Sequence, residues 1–333
     1  MKHTGAPEPV DQERMNAVIY RRLCGNALLC MLLLSFAAGS TCAQKLHLKP
    51  RLQAGQTFFY RIDFRSSRNV RTESSVASPQ LPPTESVNAS GLLQVEIVEA
   101  NASGLRVKTY YSERNPSPRA SSAQSAAPTA DKVIEVSIAS NGTASPPTGL
   151  DRLSPGQQLG WSDWLARFAA SMTFPKGGVS AGQKWEAVEP ETTPSPIAGL
   201  SWTKKYQYAR DEPCRFGDQT AKLSQRKPSP NAQRCAVILV HSSLRQASSS
   251  KNATPEDYKL RDLRTRGTAT GENETILYLS RATGLLIRST EDAQQSMDVI
   301  VALADGSNQV HYNLDAKSHS EILLLPDSPQ AVQ

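Results

Sequence analysis

Residues 57–66, TFFYRIDFRS, alternate in character: Phe58, Tyr60, Ile62 and Phe64 fall on one side of an extended chain, Phe59, Arg61, Asp63 and Arg65 on the other. Successive strand side chains point to opposite faces, so this period of two predicts a half-buried strand. In GLLQVEIVEANASGLRVKTYYSE the pattern runs through Leu93, Val95 and Ile97, breaks at residues 101–104, and resumes with Leu105, Val107 and Thr109, which predicts a hairpin. KVIEVSIASNG predicts a further strand. Beyond residue 180, AGQKWEAV, GLSWTKKYQYAR and RCAVILVHSSLRQ predict three more. Two hairpins follow, around residues 281–284 and around Asp305 and Gly306, where Asp-Gly suits a tight turn, and EILLLP closes the series. The Pro-, Ser- and Ala-rich stretches SSVASPQLPPTES and NPSPRASSAQSAAPTAD offer little to bury and are expected to be mobile loops.

One segment has a different period. Trp161, Trp164, Leu165, Phe168 and Met172 fall at i, i+3, i+4, i+7 and i+11, the apolar face of a helix. Ser154 and Pro155, with Gln157 three positions after the serine, form a capping-box start, while Gly160 leaves a later start near Ser162 open. Pro175, Gly177 and Gly178 end it. A Trp-rich stripe reads as core rather than ligand pocket, because a lone helix persists only by burying one face.

QAGQTFFYR and SAGQKWEAV share Ala-Gly-Gln, one spacer and an aromatic residue. Gly55 and Gly182 can supply a positive φ, and Phe58 or Trp185 would begin a strand facing the core. Each start opens a comparable series of strands, which reads as an internal duplication. The expected fold is therefore mainly β: two similar antiparallel curved-sheet halves, residues 44–153 and 176–326, with one connecting amphipathic helix over 154–175 and a short tail over 327–333.

Residues 1–43 stand apart. Arg21 and Arg22 precede the sixteen mostly apolar residues 23–38 and then GSTCAQ, the pattern of an export signal. That run is shorter than the roughly 20 residues a spanning helix needs, so cleavage is expected, before Gln44 or before Thr41. Membrane association follows only if Cys42 is lipidated or the leader stays uncleaved. The 333-residue chain holds 37 basic and 31 acidic side chains. With Lys2, Arg14, Arg21 and Arg22 removed against Glu8, Asp11 and Glu13, the mature part keeps +5. So mild a charge, with KLRDLRTRG broken by Asp262 and flanked only by Tyr258, excludes an ordinary nucleic-acid binder. Outside the leader's apolar run only Cys42, Cys214 and Cys235 occur. Cys214 and Cys235 are expected to pair, since export favours disulfides and neither has a Cys or His at zinc-site spacing; two free thiols are the alternative.

Candidate chemistry appears in unsuitable surroundings. GVSAG places Ser180 in a GxSxG pattern, but the predicted order is helix, loop, strand, whereas a nucleophile elbow needs a strand before and a helix after. Ser201 with Lys204 and Ser248 with Lys251 fit SxxK, yet one pair lies in a predicted strand and the other in a polar loop, where i and i+3 do not meet. His47, His241, His311 and His319 are scattered, and adjacent His241 and Ser242 point to opposite faces of a strand. Acidic pairs such as Glu256 with Asp262 and Glu291 with Asp292 read as solvated. No catalytic, metal or cofactor residue is expected.

LKPRLQAGQTFFYRI, FPKGGVSAGQKW and LYLSRATGLLIRS together resemble a loose group of exported bacterial proteins of unknown function built from duplicated curved antiparallel sheets. The resemblance covers most of residues 46–325 and implies a fold and an address, periplasmic or extracellular. It implies no activity. The functional expectation is a non-catalytic envelope or secreted module binding an apolar ligand or an unknown envelope protein. The alternative is a hydrolase assembled from distant residues, with Ser180 as nucleophile and His241 or His311 as base.

Overall fold

The computed structural model describes residues 45–74, 84–113, 132–191, 195–216 and 233–326. The expected signal over 1–43 with Cys42, the tail over 327–333 and most of the two Pro- and Ser-rich loops lie outside these residues. The strands are β1 (Thr57–Ser74), β2 (Thr84–Asn101), β3 (Gly104–Glu113), β4 (Val133–Ala139), β5 (Lys184–Pro190), β6 (Leu200–Pro213), β7 (Arg234–Gln246), β8 (Leu263–Ser280), β9 (Leu286–Leu303) and β10 (Val310–Leu324). Between β4 and β5 runs helix α1 (Pro155–Phe168), and one helical turn, α2 (Glu256–Lys259), precedes β8.

All ten strands join one open sheet in the order β4-β3-β2-β1-β10-β9-β8-β7-β6-β5, every pair antiparallel. The two halves meet edge to edge through β1 and β10, paired from Tyr60 opposite Leu324 to Ser74 opposite Val310. That contact carries no local sequence signal, because its partners are the first and last of the described strands. Several strands are also longer than their hydrophobic alternation. β1 continues from Ser66 to Ser74, and β2 already begins at Thr84, inside the stretch expected to be loop.

The predicted core faces are the observed ones. Tyr60 and Ile62, then Leu93, Val95 and Ile97, then Val107, Ile134 and Ile138 are buried on one face, called the inner face here. Helix α1 lies on it. Ser154 caps the helix with the reciprocal Gln157 bond, so the earlier of the two predicted starts is used. A short 3-10 extension, Ala169–Thr173, carries the chain towards Pro175. Gly160 faces β1 closely: a Cβ there would stand 3.3 Å from Ile62 Cγ2. Trp164 is fully buried, stacked on Phe168 at 4.9 Å between ring centroids and tilted against Tyr60 at 5.9 Å. Leu165 and Met172, expected on the same stripe, are only half-buried at its margin. The Trp161 indole donates to Thr109 Oγ1 on β3 at 2.9 Å, Arg167 reaches β9, and Phe174 packs edge-on against Trp185 of β5. One helix thus touches strands far apart in the sheet, which curls around it.

The repeated Ala-Gly-Gln is a repeated turn. Gly55 and Gly182 have φ of 85° and 81°. In each copy the glutamine side chain accepts from the backbone N–H three residues earlier, Gln56 from Gln53 and Gln183 from Ser180, both at 2.9 Å. Each glycine N–H donates to the next strand, Gly55 to Ile97 and Gly182 to Tyr208, and each partner strand bulges within two residues of that point.

Candidate functional site

The inner face is apolar at both ends of the sheet and polar between. One apolar cluster surrounds α1; a smaller one gathers Ile197, Leu200, Leu244, Ala253, Ala269 and Val299. Between them, inward positions carry small or polar side chains on strand after strand: Ser66 on β1, Ser318 on β10, Ala293 on β9, Thr275 on β8, Ser242 on β7 and Lys204 on β6. Short side chains leave room. A cavity of about 490 Å³ lies between this belt and α1. A second, of about 650 Å³, continues along the inner face over Val70, Met297, Val301, Tyr312 and Leu314. Glu191, Gln295 and Ala316 border both, so the two adjoin.

Charge in the belt is arranged in pairs. Arg167, its side chain 4% exposed, bonds Asp163 one turn earlier on α1, Glu291 of β9 at 3.1 Å and Ser289 Oγ at 2.9 Å. Ser320 donates to Asp163 Oδ2 at 2.6 Å and Thr275 to Glu291 Oε2 at 2.8 Å. Two carboxylates share one guanidinium, and burial, partly offset by Arg167 and reinforced by Glu291, pushes the Asp163 carboxyl up to about 6. Lys204 donates to Glu189 at 2.6 Å, and the Trp202 indole to Glu191 at 2.6 Å. The network fastens α1 to β8, β9 and β10 along the cavity wall.

The sequence reading missed this cluster and misplaced one member. Glu291 and Asp292 were expected to be solvated together; strand alternation instead sends Glu291 inward, its side chain 18% exposed, and Asp292 outward to His319 at 2.8 Å. Asp163 with Arg167, an i, i+4 acid–base pair on the buried helix, was the readable signal.

The other candidates separate. Ser180 sits in the turn closed by Gln183. His241 is on the outer face of β7, 4.0 Å from Glu274, and His311 faces Asp298 at 3.0 Å on β10. Along the register His241, Glu274, Asp292 and His319 form one row, and His311 lies eight residues further along β10, roughly 26 Å at the strand rise. No hydrogen bond or ion pair among the described residues joins Ser180 to either histidine. Ser201 and Lys204 are split between faces of β6, and Ser248 Oγ donates to Ala198 O at 2.6 Å. His47 packs beside Gly178. Cys214 and Cys235 form a disulfide with Cα atoms 5.0 Å apart, tying the ends of paired β6 and β7. Among the described residues no group of three His, Cys, Asp or Glu side chains is gathered as a metal requires.

No family model and no curated protein matches the chain. Among solved structures it is similar to one described as "Asymmetric conductivity of engineered proteins", at 8% identity and TM-score 0.17, covering 81% of this chain and all of that one. Two mutants of the Rh. blastica porin follow at 8% identity and TM-scores of 0.16 and 0.15, each covering 80% of this chain and all of theirs. Likeness at that level carries no argument. No helix among the described residues is long and apolar enough to cross a membrane, and the disulfide is consistent with an oxidising compartment.

Proposed function

We propose that this chain is a non-catalytic, exported binding module, periplasmic or extracellular, that holds an apolar chain in the trough of its inner sheet face. The observation that carries the reading is the 650 Å³ trough walled by Val70, Met297, Val301 and Leu314, adjoining a polar cavity. Ligand sites are concave, mostly apolar and supplied with a few placed polar groups, in this range of volumes. The disulfide and the leader pattern support export. Mass spectrometry of organic extracts from the protein purified out of its native compartment tests the proposal. A stoichiometric amphiphile is expected, and Leu314→Trp, which fills the trough, should abolish its recovery. An extract without any apolar compound, or one unaltered by Leu314→Trp, would overturn it.

A further inference from the structure

We propose that the polar end of the bound molecule is uncharged and hydroxyl-rich, so that the ligand is a single-chain amphiphile with a sugar or polyol head. This rests on the binding reading above and adds what the site selects. The cations facing the cavity between α1 and the belt are already matched: Arg167 with Asp163 and Glu291, Lys204 with Glu189. Lys317 also borders the cavity but stands in register with Ser67 and Gln294 on the outer face. An anionic head would therefore have to break the buried Arg167 cluster, leaving an uncompensated charge, or compete with Glu189 for the part-exposed Lys204.

The groups left over are those that read hydroxyls. Ser66, Ser318, Asn273 and Gln295 line the cavity, and their hydroxyls and amides both donate and accept. Arg167 lines the cavity with its side chain 96% buried and its terminal nitrogens engaged by Ser289, Asp163 and Glu291. Trp202, part-buried on β6, offers a flat ring of the kind that packs on the C–H face of a pyranose. Because Gln295 and Ala316 border both cavities, a head held here leaves its chain in the trough.

The test compares three probes sharing a twelve-carbon chain, dodecyl maltoside, laurate and dodecyltrimethylammonium. Each is titrated below its micelle concentration into the disulfide-intact exported chain, with tryptophan emission as readout. The maltoside is expected to bind at least tenfold more tightly than either charged probe. Equal or tighter binding of laurate or the ammonium probe overturns the head assignment while leaving the binding module standing. If no probe binds a chain whose circular dichroism shows the β-fold, both readings fall. Ser318→Val, a residue suited to a strand, should weaken maltoside binding severalfold and leave laurate unchanged; an equal loss for all three overturns the role of the belt.

Discussion

The two halves begin with the same turn and end in different places. Gln56 and Gln183 close equivalent loops, and each glycine hands its N–H to a bulged neighbour, yet β1 runs 18 residues and β5 only seven. The difference lies in what stands on the other side. β1 is flanked by β2 and β10, and its inward Tyr60 and Ile62 are fully buried; β5 has β6 alone, and its inward Trp185 and Ala187 stay half-buried. The same local code therefore starts a central strand in one half and an edge strand in the other. Neighbours, not the turn, set length and burial. The edges differ as well: β4 is bridged by Ala144 and Thr148, whereas β5 is short, charged and ends in Pro190, features that discourage pairing with another chain.

The connection after each first hairpin pair is also built differently. β2 and β3 turn through residues 101–104, with Asn101 Oδ1 accepting from Ser103 N at 2.9 Å, while the longer path from β6 to β7 is closed by Cys214 and Cys235. The first half is held by turn chemistry, the second by a covalent bond.

The largest expected effect removes what both halves share. Trp164→Ala should cost about 3–5 kcal/mol, because the indole is fully buried between Phe168 and Tyr60, and denaturant unfolding should show it. Cys214→Ser with Cys235→Ser should cost roughly 3 kcal/mol in the chain-entropy model for a separation of 21 residues. Hydrogen exchange should then rise in β6 and β7 and stay low in β2 and β3; uniform loosening would show that the halves are not separately stapled.

A comparable effect concerns the clamp between them. The Asp163 carboxyl is raised from an ordinary 3.8 to about 6, so the folded state holds its proton where the unfolded chain has lost it. Stability from this group is complete below the unfolded value and is lost as pH rises through about 6, by roughly 3 kcal/mol. Asp163→Asn should flatten that part of the stability curve; a parallel curve for the variant would refute the raising of the Asp163 carboxyl by burial. The smallest effect is the sharpest comparison. Gln56→Ala and Gln183→Ala each remove a cap-like bond, about 1 kcal/mol, and should lower the melting temperature by similar amounts if the turns are equivalent.

The β class, the helix with its cap, the disulfide and most core faces were legible because period, capping chemistry and spacing are local. The continuation of strands through SRNVRTES in β1 and GENE in β8 was not, since polar residues there occupy both faces. Those same stretches flank the belt and line the cavities, Arg68 and Val70 from the first and Asn273 from the second. An inner face that leaves space for a ligand has to give up the large alternating side chains by which a strand is recognised, so the site concealed itself. Arg167 with Glu291 was hidden for another reason: it joins a helix to a strand across long sequence separation, and no spacing rule reports such a meeting.

The pairing of β1 with β10 bears on how the molecule is made. When β1 first emerges from synthesis, one of its two long edges lacks its partner, and that partner is the last strand to appear. Until then the backbone donors and acceptors along that edge remain an open template for stray chains, and the central seam cannot zip before the chain has been made through residue 324. Folding should accordingly be slow and dominated by one late, long-range event, with the greatest risk of aggregation just before it.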